Sequence, residues 1–393
     1  MTAINVIDNI YWVGVKDPSL EVFDVVMKTN NGTTYNSYLI NDDEIAIIDC
    51  VKDGFFDESL KRIKSIIGDK KVSYLIIQHT ELDHTGSVQK LLDEYPDIEI
   101  IATSAGLNYL KDILNHDING KDSLKLKEIS TGKYTLNFIS TPNIHWPDTM
   151  FTYIKEAKAL FTCDFGGAHF CPKDGIIEEK QNEYLDEFYY YYKVIMAPFK
   201  KFVSAAICKI KDLDIDSLLP SHGPIHLSER LWNVIDIYKE LSIEEEKKEQ
   251  VLILYVSAYG NTEKMAKYFF EKLSDNNIKT ELFEITSENK EVLLEKINKS
   301  KGLLIGSPTI NQDAVYPVWD VLTSIDVIPN RGKISGAFGS YGWSGEAVPM
   351  ITQRLKTMKF KTVDNGYRFK FVPDNREFQV ANQFIEKFID ILS

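Results

Sequence analysis

The pattern of apolar runs after residue 250 constrains the fold of this chain more than any other feature of its sequence. The segment VLILYVSAYGNTEKMAKYFFEKL has the pattern of an apolar strand, a loop of small residues and an amphipathic helix. Three more apolar segments follow it, namely KTELFEI, KGLLIGSPT and KISGAFGSYGWSGEA. Short apolar strands that alternate with helices indicate a parallel, doubly wound sheet, because each parallel crossover places a helix on one face.

The first half of the chain follows a different pattern. Strand-like runs at residues 11–15, 35–40 and 44–49 are bounded by Asn-Gly and Asn-Asp-Asp turn signals. A helical segment around residues 59–67 and a buried strand that ends at Gln78 come next. We therefore expect a mixed α/β domain that begins with hairpins and continues to about residue 240.

A charged segment, SIEEEKKEQ at residues 242–250, separates the two patterns. It is either the end of a helix or a short linker, and we take it as the domain boundary. A chain of 393 residues is too long for one ordinary core. We expect two domains, residues 1–248 and 249–393.

The charge and cysteine content narrow the class of protein. Lys and Arg total 45 and Asp and Glu total 58, which gives a net charge of −13 and disfavours nucleic acid as a partner. The four cysteines form no Cys-x-x-Cys pair, as suits a reducing cytosol. The sequence offers no signal peptide and no run of about 20 apolar residues, so we expect a cytoplasmic protein without a membrane span.

The segment QHTELDHTGS carries four potential metal ligands within six residues. His79, Glu81, Asp83 and His84 follow directly after the predicted buried strand. The carboxyl end of a strand is where α/β folds place their chemistry. We interpret this loop as the first part of a metal site.

Three more potential ligands occur farther along the chain. His145, Asp164 and His222 each lie where a strand-like run meets a turn. The whole set has four imidazoles and three carboxylates. Two metal ions could each take two imidazoles and one carboxylate, with one carboxylate left to bridge them.

The ligand types narrow the choice of metal ion but do not identify it. Two imidazoles and one carboxylate with open positions suit non-haem Fe(II), but zinc accepts the same donors. The other histidines, His116, His169 and His226, are isolated from the ligand loops, and we interpret them as surface or structural residues.

The second half has polar, small-residue loops at three successive strand ends. The first, residues 257–262, offers hydroxyls, amides and a helix N-terminus, which together can hold a phosphate dianion. It has neither the Gly-x-x-x-x-Gly-Lys nor the Gly-x-Gly-x-x-Gly pattern, which disfavours a P-loop nucleotide or a dinucleotide. The other two loops begin at Ser307 and Ser340 and would meet the first at one sheet edge.

These two motif sets together resemble the flavodiiron proteins, also called A-type flavoproteins. The first half is similar to a metallo-β-lactamase-type domain, whose hydrolase members carry a His-x-His-x-Asp-His loop, with Glu81 in place of the second His. The second half is similar to short-chain flavodoxin. The resemblance implies a metallo-β-lactamase-like αββα sandwich followed by a flavodoxin-like doubly wound parallel sheet.

The resemblance also implies cofactors and their ligands. One iron would be held by His79, Glu81 and His145, the other by Asp83, His84 and His222, and Asp164 would bridge the two. In some family members the histidine at the His84 position swings off the metal. FMN would be bound by three groups of residues: Ser257, Ala258, Tyr259, Gly260, Asn261 and Thr262; Ser307, Pro308, Thr309, Ile310 and Asn311; and Ser340, Tyr341, Gly342, Trp343, Ser344 and Gly345.

Three aromatic or pocket positions carry further expectations. Trp343 would stack on the flavin or cover a neighbouring metal site, or else be a buried core residue. Tyr192, before the Met196–Phe199 stretch, would be a pocket tyrosine or an aromatic packing residue. Many family members have a pocket histidine where this chain has Asp24, so the resemblance does not choose between dioxygen and nitric oxide.

The implied activity is reduction of dioxygen to water, of nitric oxide to nitrous oxide, or of both. No rubredoxin-like cysteine pairs follow the second half, so we expect an external electron donor such as rubredoxin, a reduced deazaflavin coenzyme or a flavin reductase. A head-to-tail homodimer, or a dimer of dimers, would bring FMN close to iron. The alternatives are a zinc-dependent metallo-β-lactamase-type hydrolase with an accessory flavodoxin module, and an electron carrier with a structural metal loop.

Overall fold

The computed structural model describes residues 2–177, 182–227, 229–243 and 248–392. The chain divides into two compact units, Met1–Glu244 and Glu245–Ser393. The domain boundary at 248/249 stays a prediction, since the neighbouring residues 244–247 lie outside the described ranges.

The first unit contains short strands and helices in alternation. Its strands are β1 Ile4–Ile7, β2 Ile10–Trp12, β3 Val15–Asp17, β4 Val22–Phe23, β5 Met27–Lys28, β6 Thr33–Tyr35, β7 Tyr38–Ile40, β8 Ala46–Ile48, β9 Tyr74–Ile76, β10 Glu99–Ala102, β11 Gly120–Asp122, β12 Glu128–Ser130, β13 Thr135–Ser140, β14 Met150–Ile154, β15 Ala159–Cys163, β16 Ser217–Pro220 and β17 His226–Leu227. Its helices are α1 Phe56–Ile67, α2 Leu82–Thr85, α3 Val88–Glu94, α4 Ser104–Leu114, α5 Ser123–Leu126, α6 Asn182–Tyr191, α7 Lys200–Ile210 and α8 Glu229–Leu241.

These elements form a four-layered sandwich, as predicted. One sheet has the order β1-β2-β7-β8-β9-β10-β11 and the other β12-β13-β14-β15-β16-β17. Apolar side chains of both sheets, among them Trp12, Tyr38 and Phe161, fill the space between them. A second core layer packs α1, α3 and α4 on the first sheet, and a third packs α6, α7 and α8 on the second.

The strand predicted at residues 35–40 is in fact two strands, β6 and β7, that are interrupted at Asn36. The side chain of Asn36 is buried and donates to the carbonyls of Pro220 and Gly223, at 2.8 and 2.9 Å. Its own amide donates to Ser221 O at 2.9 Å. The strand breaks because Asn36 ties the first sheet to the loop after β16.

The second unit follows the predicted strand–helix alternation. Its strands are β18 Lys248–Tyr255, β19 Lys279–Glu284, β20 Ser300–Gly306, β21 Thr309–Ile310, β22 Asp313–Ala314, β23 Ile334–Tyr341, β24 Lys361–Thr362 and β25 Tyr367–Lys370. Its helices are α9 Asn261–Asp275, α10 Lys290–Lys299, α11 Tyr316–Thr323, α12 Val327–Asn330, α13 Ala347–Thr357 and α14 Asn375–Leu392.

The main sheet of this unit is parallel, with the order β19-β18-β20-β23-β24, and β25 also pairs with β23. Counted along the chain this is the 2-1-3-4-5 order of a flavodoxin-like fold, whose switch point lies between the first and third strands. Helices α10, α11 and α13 cover one face, and α9 and α14 cover the other. The loops after β18, β20 and β23 therefore lie at the carboxyl edge beside the switch point.

Among the described residues, no helix has both the length and the apolar character needed to cross a lipid bilayer.

Candidate metal centre and flavin site

The seven predicted ligands come from strand ends on both sheets of the first unit. His79 follows β9, and Asp83 and His84 lie on the short helix α2. Asp164 and His222 follow β15 and β16, which pair in parallel, so their carboxyl ends share one edge. His145 lies in the loop between β13 and β14.

One group of side chains contains His79, Glu81 and His145. His145 Nε2 lies 3.2 Å from Glu81 Oε2 and 2.6 Å from Asp164 Oδ2. His79 Nε2 lies 3.8 Å from Glu81 Oε2 and 3.6 Å from Asp164 Oδ2. These ligand atoms are close enough to one another to share a single metal ion.

A second group contains Asp83, His84 and His222. His222 Nε2 lies 3.0 Å from Asp83 Oδ2, and His84 Nε2 lies 3.4 Å from Asp83 Oδ1. Both imidazoles also face Asp164 Oδ1, at 3.3 Å from His84 and 3.5 Å from His222. Asp164 thus presents Oδ2 to the first group and Oδ1 to the second, the arrangement of a bridging carboxylate.

The ligand atoms fit metal ions because their own hydrogen bonding is incomplete. Within the described ranges, the following buried atoms have no hydrogen-bond partner: His79 Nδ1 and Nε2, Asp83 Oδ1 and Oδ2, His84 Nε2, and Asp164 Oδ1. A buried polar atom without a partner costs about 1–3 kcal/mol. Metal coordination would satisfy these atoms, so the donor set fits two cations of the iron or zinc type.

The charges of the ligands depend on one another. Burial lowers the pKa of His79 well below 6.5, so this imidazole is neutral, as a metal ligand must be. Burial disfavours charge on Asp164, but the imidazoles around it outweigh burial, through charge and hydrogen bonds, and hold the pKa of Asp164 well below 3.8. Burial likewise opposes protonation of His84, but Asp83 and Asp164 outweigh it and raise the pKa of His84. A proton and a metal ion therefore compete for His84 Nε2.

Two residues of the site hold strained backbone. His145 has φ of 42° and Cys163, directly before Asp164, has φ of 51°. Left-handed backbone at residues other than glycine costs about 1–3 kcal/mol and persists where the surroundings impose it. The fold imposes these conformations where they aim His145 and Asp164 at each other.

Groups behind the ligands fix their orientation. His222 Nδ1 donates to Thr34 O at 2.7 Å, which leaves Nε2 free to ligate. The buried Asp49 accepts from Gln78 N at 2.8 Å and from Ser221 Oγ at 3.3 Å, and thereby holds the residue before His79 and the residue before His222. Burial raises the pKa of Asp49 to about 6.

A cleft of about 760 Å³ opens beside the ligands Glu81 and Asp83. Phe23, Asp24 and Trp146 line it. Asp24 lies in the turn between β4 and β5 and is exposed. The position that the resemblance assigns to a pocket histidine is therefore a carboxylate at the mouth of this cleft.

Of the two adjacent tyrosines, Tyr191 and not Tyr192 packs beside the ligands. The hydroxyl of Tyr192 hydrogen-bonds Ser242 Oγ at 2.7 Å. The ring of Tyr191 lies 5.0 Å from that of His169 and 6.3 Å from that of His222. The packing alternative for Tyr192 agrees with these contacts, and a catalytic role for Tyr192 stays a prediction.

The backbone changes its winding at this point. α6 ends at Tyr191, a π-helical turn spans Tyr192–Met196, and a 3₁₀ turn spans Ala197–Phe199. The ring of Phe199 then lies 6.5 Å from that of His145. π-helical turns are rare and occur frequently at functional sites.

The sequence predicts a surface or structural role for His169, but the structure places it against a predicted ligand. The residue is buried, and its ring centre lies 5.0 Å from that of His222. The one local signal for His169 is its place in the loop after β15, five residues beyond Asp164. The fold then brings it to His222.

His226 fits its predicted structural role. It is buried, and its Nε2 hydrogen-bonds Gly166 O at 2.9 Å and the Tyr184 hydroxyl at 3.1 Å. Burial lowers the pKa of His226 to about 4.

This depressed pKa predicts a loss of stability in acid. The unfolded chain takes up the proton at about pH 6.5 and the folded chain only near 4, so folding weakens as pH falls between these values, by about 3 kcal/mol in total. Between these two pH values, we expect the free energy of unfolding of the metal-free protein, measured in urea, to fall by this amount more than that of a His226→Gln variant. Above pH 7 the two proteins should show the same dependence of unfolding free energy on pH. Parallel pH profiles for the two proteins would contradict the prediction.

The first loop of the second unit is open to a phosphate. α9 begins at Asn261, and its N-cap residue is Gly260, which has φ of 75° and no side chain to cap the first amides. A Cβ on Gly260 would meet only Glu263 Oε2, at 4.0 Å. Ser257 Oγ accepts from Glu263 N at 3.3 Å, and the Glu263 carboxylate pairs with Lys267 at 2.6 Å. The start of this 15-residue helix has no capping side chain from its N-cap residue, and its remaining first-turn amides suit a dianion.

The three predicted flavin loops meet at one edge of the sheet. Thr262 Oγ1 and Ser340 Oγ hydrogen-bond at 3.0 Å, which joins the first loop to the third. Ala347 N donates to Thr309 Oγ1 at 3.4 Å, which joins the third loop to the second. Ser340 and Tyr341 are the last residues of β23.

Two aromatic side chains of these loops are exposed. Tyr259 is 91% and Trp343 is 85% exposed in the single chain. The interpretation of Trp343 as a buried core residue is therefore wrong. Exposed flat rings beside a phosphate loop fit a flavin, whose ring system stacks on aromatic side chains.

The comparisons with known proteins match both units of the chain. A family model described as ODP family beta lactamase matches residues 33–223, and the flavodoxin model matches residues 253–381. The chain is 40% identical to flavo-diiron protein FprA2 of Clostridium acetobutylicum, over 99% of each chain. It is 31% identical to a nitric oxide reductase of Moorella thermoacetica, over 96% of this chain and 95% of the relative.

A solved structure has the same two-part architecture. The rubredoxin oxygen:oxidoreductase of Desulfovibrio gigas matches with a TM-score of 0.66 and 27% identity, over 100% of this chain and 98% of that one.

Proposed function

Since this chain belongs to the flavodiiron protein family, we propose that it reduces dioxygen, nitric oxide or both with electrons from an external donor. It is an oxidoreductase, and its cofactors are FMN and two non-haem iron ions. The names of its relatives include both a nitric oxide reductase and an oxygen oxidoreductase, which supports the broader substrate class.

The observation that carries this proposal is the position of Asp164 between two ligand groups. We assign one iron to His79, Glu81 and His145, the other to Asp83, His84 and His222, and the bridge to Asp164. When bound, two ferrous ions supply electrons and open positions for a diatomic ligand.

The protein residues contribute position, charge and exclusion of water. The carboxylates of Glu81, Asp83 and Asp164 offset the charge of two cations. Thr34 fixes the tautomer of His222 through its carbonyl, and the rings of Trp146 and Phe199 flank His145. These apolar rings keep a small uncharged substrate beside the metal-binding side chains and limit access of bulk water.

The second unit holds FMN in this proposal. The amides at the start of α9, with Ser257 and Thr262, bind the phosphate. The loops from Ser307 and Ser340 flank the ring system, and Tyr259 or Trp343 stacks on it. Rubredoxin, a reduced deazaflavin coenzyme or a flavin reductase supplies the electrons, and the cytoplasmic location stays a prediction.

We also propose that the working form is at least a head-to-tail dimer. Trp343 is exposed in one copy, and the hairpin at the mouth of the metal cleft exposes Val25, which is 92% accessible, and Val26. Such apolar surface is usually covered by a partner. A dimer would place the FMN of one copy at the metal cleft of the other.

This dimer predicts a solution mass of at least twice 45.0 kDa. Sedimentation of the FMN-loaded protein at micromolar concentration is expected to give that mass, and a Trp343→Ser variant is expected to shift towards the monomer. An Ile391→Ser variant removes another exposed apolar side chain, at the end of α14 where that helix packs on the start of β20, and serves as the control. A wild-type protein that sediments as a single copy would count against the dimer.

The central experiment is an anaerobic assay on pre-reduced protein of known iron and FMN content. About two irons and one FMN per chain, with consumption of dioxygen, nitric oxide or both, is the expected result. Zinc in place of iron would favour the hydrolase alternative, which the named relatives do not favour. Loaded protein that consumes neither gas would defeat the proposal.

A further inference from the structure

His169 lies inside a cluster of rings on one side of the second ligand group. Its ring centre is 4.2 Å from that of Phe23, 5.0 Å from that of Tyr191 and 5.0 Å from that of His222. Phe23 also lines the metal cleft and lies 5.7 Å from the ring of His222. His169 is therefore in the layer of side chains directly around a proposed iron ligand.

Adjacent residues of β6 hold both imidazoles. Thr33 Oγ1 hydrogen-bonds His169 Nδ1 at 2.9 Å, and Thr34 O accepts from His222 Nδ1 at 2.7 Å. The His169 ring is thus fixed at one nitrogen by the same strand that orients a ligand.

The second ring nitrogen of His169 is unsatisfied within the described part of the chain. Among the described residues, His169 Nε2 is buried and without a hydrogen-bond partner. Leaving such an atom unpaired costs about 1–3 kcal/mol. Burial of this kind next to a reaction site is explained if a ligand of the site supplies the missing bond.

We propose that His169 Nε2 is a hydrogen-bonding group for the small ligand bound at the His222 side of the metal centre. This inference rests on the proposed function. The ligand class is a diatomic or triatomic species with a polar end, which is the substrate class of the proposed function. Its bond to His169 needs no change in the imidazole charge, because a neutral ring offers a donor or a lone pair at Nε2.

Azide binding to the oxidised holoprotein tests the proposal. Visible titrations with sodium azide are to be run on wild type, His169→Phe and His169→Gln, with iron and FMN measured in each sample. The phenylalanine variant is expected to keep both cofactors and to bind azide about tenfold more weakly, equivalent to about 1.4 kcal/mol. The glutamine variant, which restores a polar end, is expected to remain within about threefold of wild type.

A matched control is available in His226. This residue is also a buried histidine with an unpartnered nitrogen, Nδ1, but its ring contacts are with Tyr184 and Phe188. His226→Phe is expected to leave azide affinity unchanged. If His169→Phe folds poorly, Thr33→Val offers a second test, because it removes the hydrogen bond that holds the His169 ring at Nδ1. Azide binding by this variant is expected to weaken about threefold.

The outcomes distinguish failure of the His169 contact from failure of the proposed function. Iron-loaded His169→Phe with wild-type azide affinity overturns the inference and leaves the proposed function standing. Equal losses of affinity in the phenylalanine, glutamine and His226 variants also overturn it, since they would indicate general loosening of the unit. Wild-type protein that takes up no iron overturns the proposed function, and this inference with it.

Discussion

Replacement of Asp164 by asparagine is expected to leave the protein with less than one iron per chain and to reduce gas consumption by about 100-fold or more. The two oxygens of Asp164 face different ligand groups, at 2.6 Å from His145 and 3.3 Å from His84. An amide removes the negative charge that both cations share and replaces one oxygen with a donor group. Changes even behind the ligands of metal sites cost about 10–100-fold, so loss of a shared ligand should cost at least that much.

The matched control is Glu187→Gln. Glu187 is also a buried carboxylate of the first unit, but it accepts hydrogen bonds from Asn30 and Asn31 and is not in the ligand groups. Iron analysis of both variants after identical loading, with FMN content as the internal reference, is the measurement. Full iron content in Asp164→Asn would remove the bridging assignment.

A Ser257→Asp substitution is expected to weaken FMN binding by about 100-fold or more while the fold is retained. The new carboxylate can accept from Glu263 N, as the serine hydroxyl does now, and a negative charge at the start of α9 stabilises the helix by about 0.3–1 kcal/mol. The same charge repels a phosphate dianion, by several kcal/mol at an effective dielectric constant of about 20. Stability and cofactor affinity should therefore move in opposite directions.

Fluorescence quenching of FMN titrated with the cofactor-free protein measures this effect, and thermal unfolding measures stability. Ser257→Ala is the control, and we expect it to weaken FMN binding by less than about tenfold, since it removes one hydrogen bond without adding charge. The iron content of both variants should match wild type. Tight FMN binding by Ser257→Asp would show that the phosphate lies elsewhere.

The sequence was sufficient to predict which side chains would cluster in the first unit, because each lies close to a strand end, and their role as iron ligands stays a prediction. Parallel strands bring their carboxyl ends to one edge of a sheet, so Asp164 and His222, after β15 and β16, are expected together. His79 follows β9 of the other sheet, and the packing of the two sheets brings it to them. The flavodoxin-like sheet was predictable for the same reason, since its strands are apolar throughout and its helices are amphipathic. These features depend on local pattern and on general rules of topology.

Other features depend on contacts between distant residues and were not predictable. His169 reaches His222 only through the packing of loops around β6. Asn36 splits a predicted strand because its side chain bonds residues about 180 positions away.

The π-helical turn at Tyr192–Met196 allows the aromatic lining of the metal site to change without a change in the proposed metal ligands. Each residue of an α-helix advances by about 100°, so gaining or losing one residue here rotates everything before it relative to everything after it. With the chain after the turn held in place, insertion of one residue between Tyr192 and Met196 would move Tyr192 to the position that Tyr191 now holds, without a substitution at either position. Insertions and deletions, rather than point mutations, are then the changes by which evolution could reset the aromatic lining of this site.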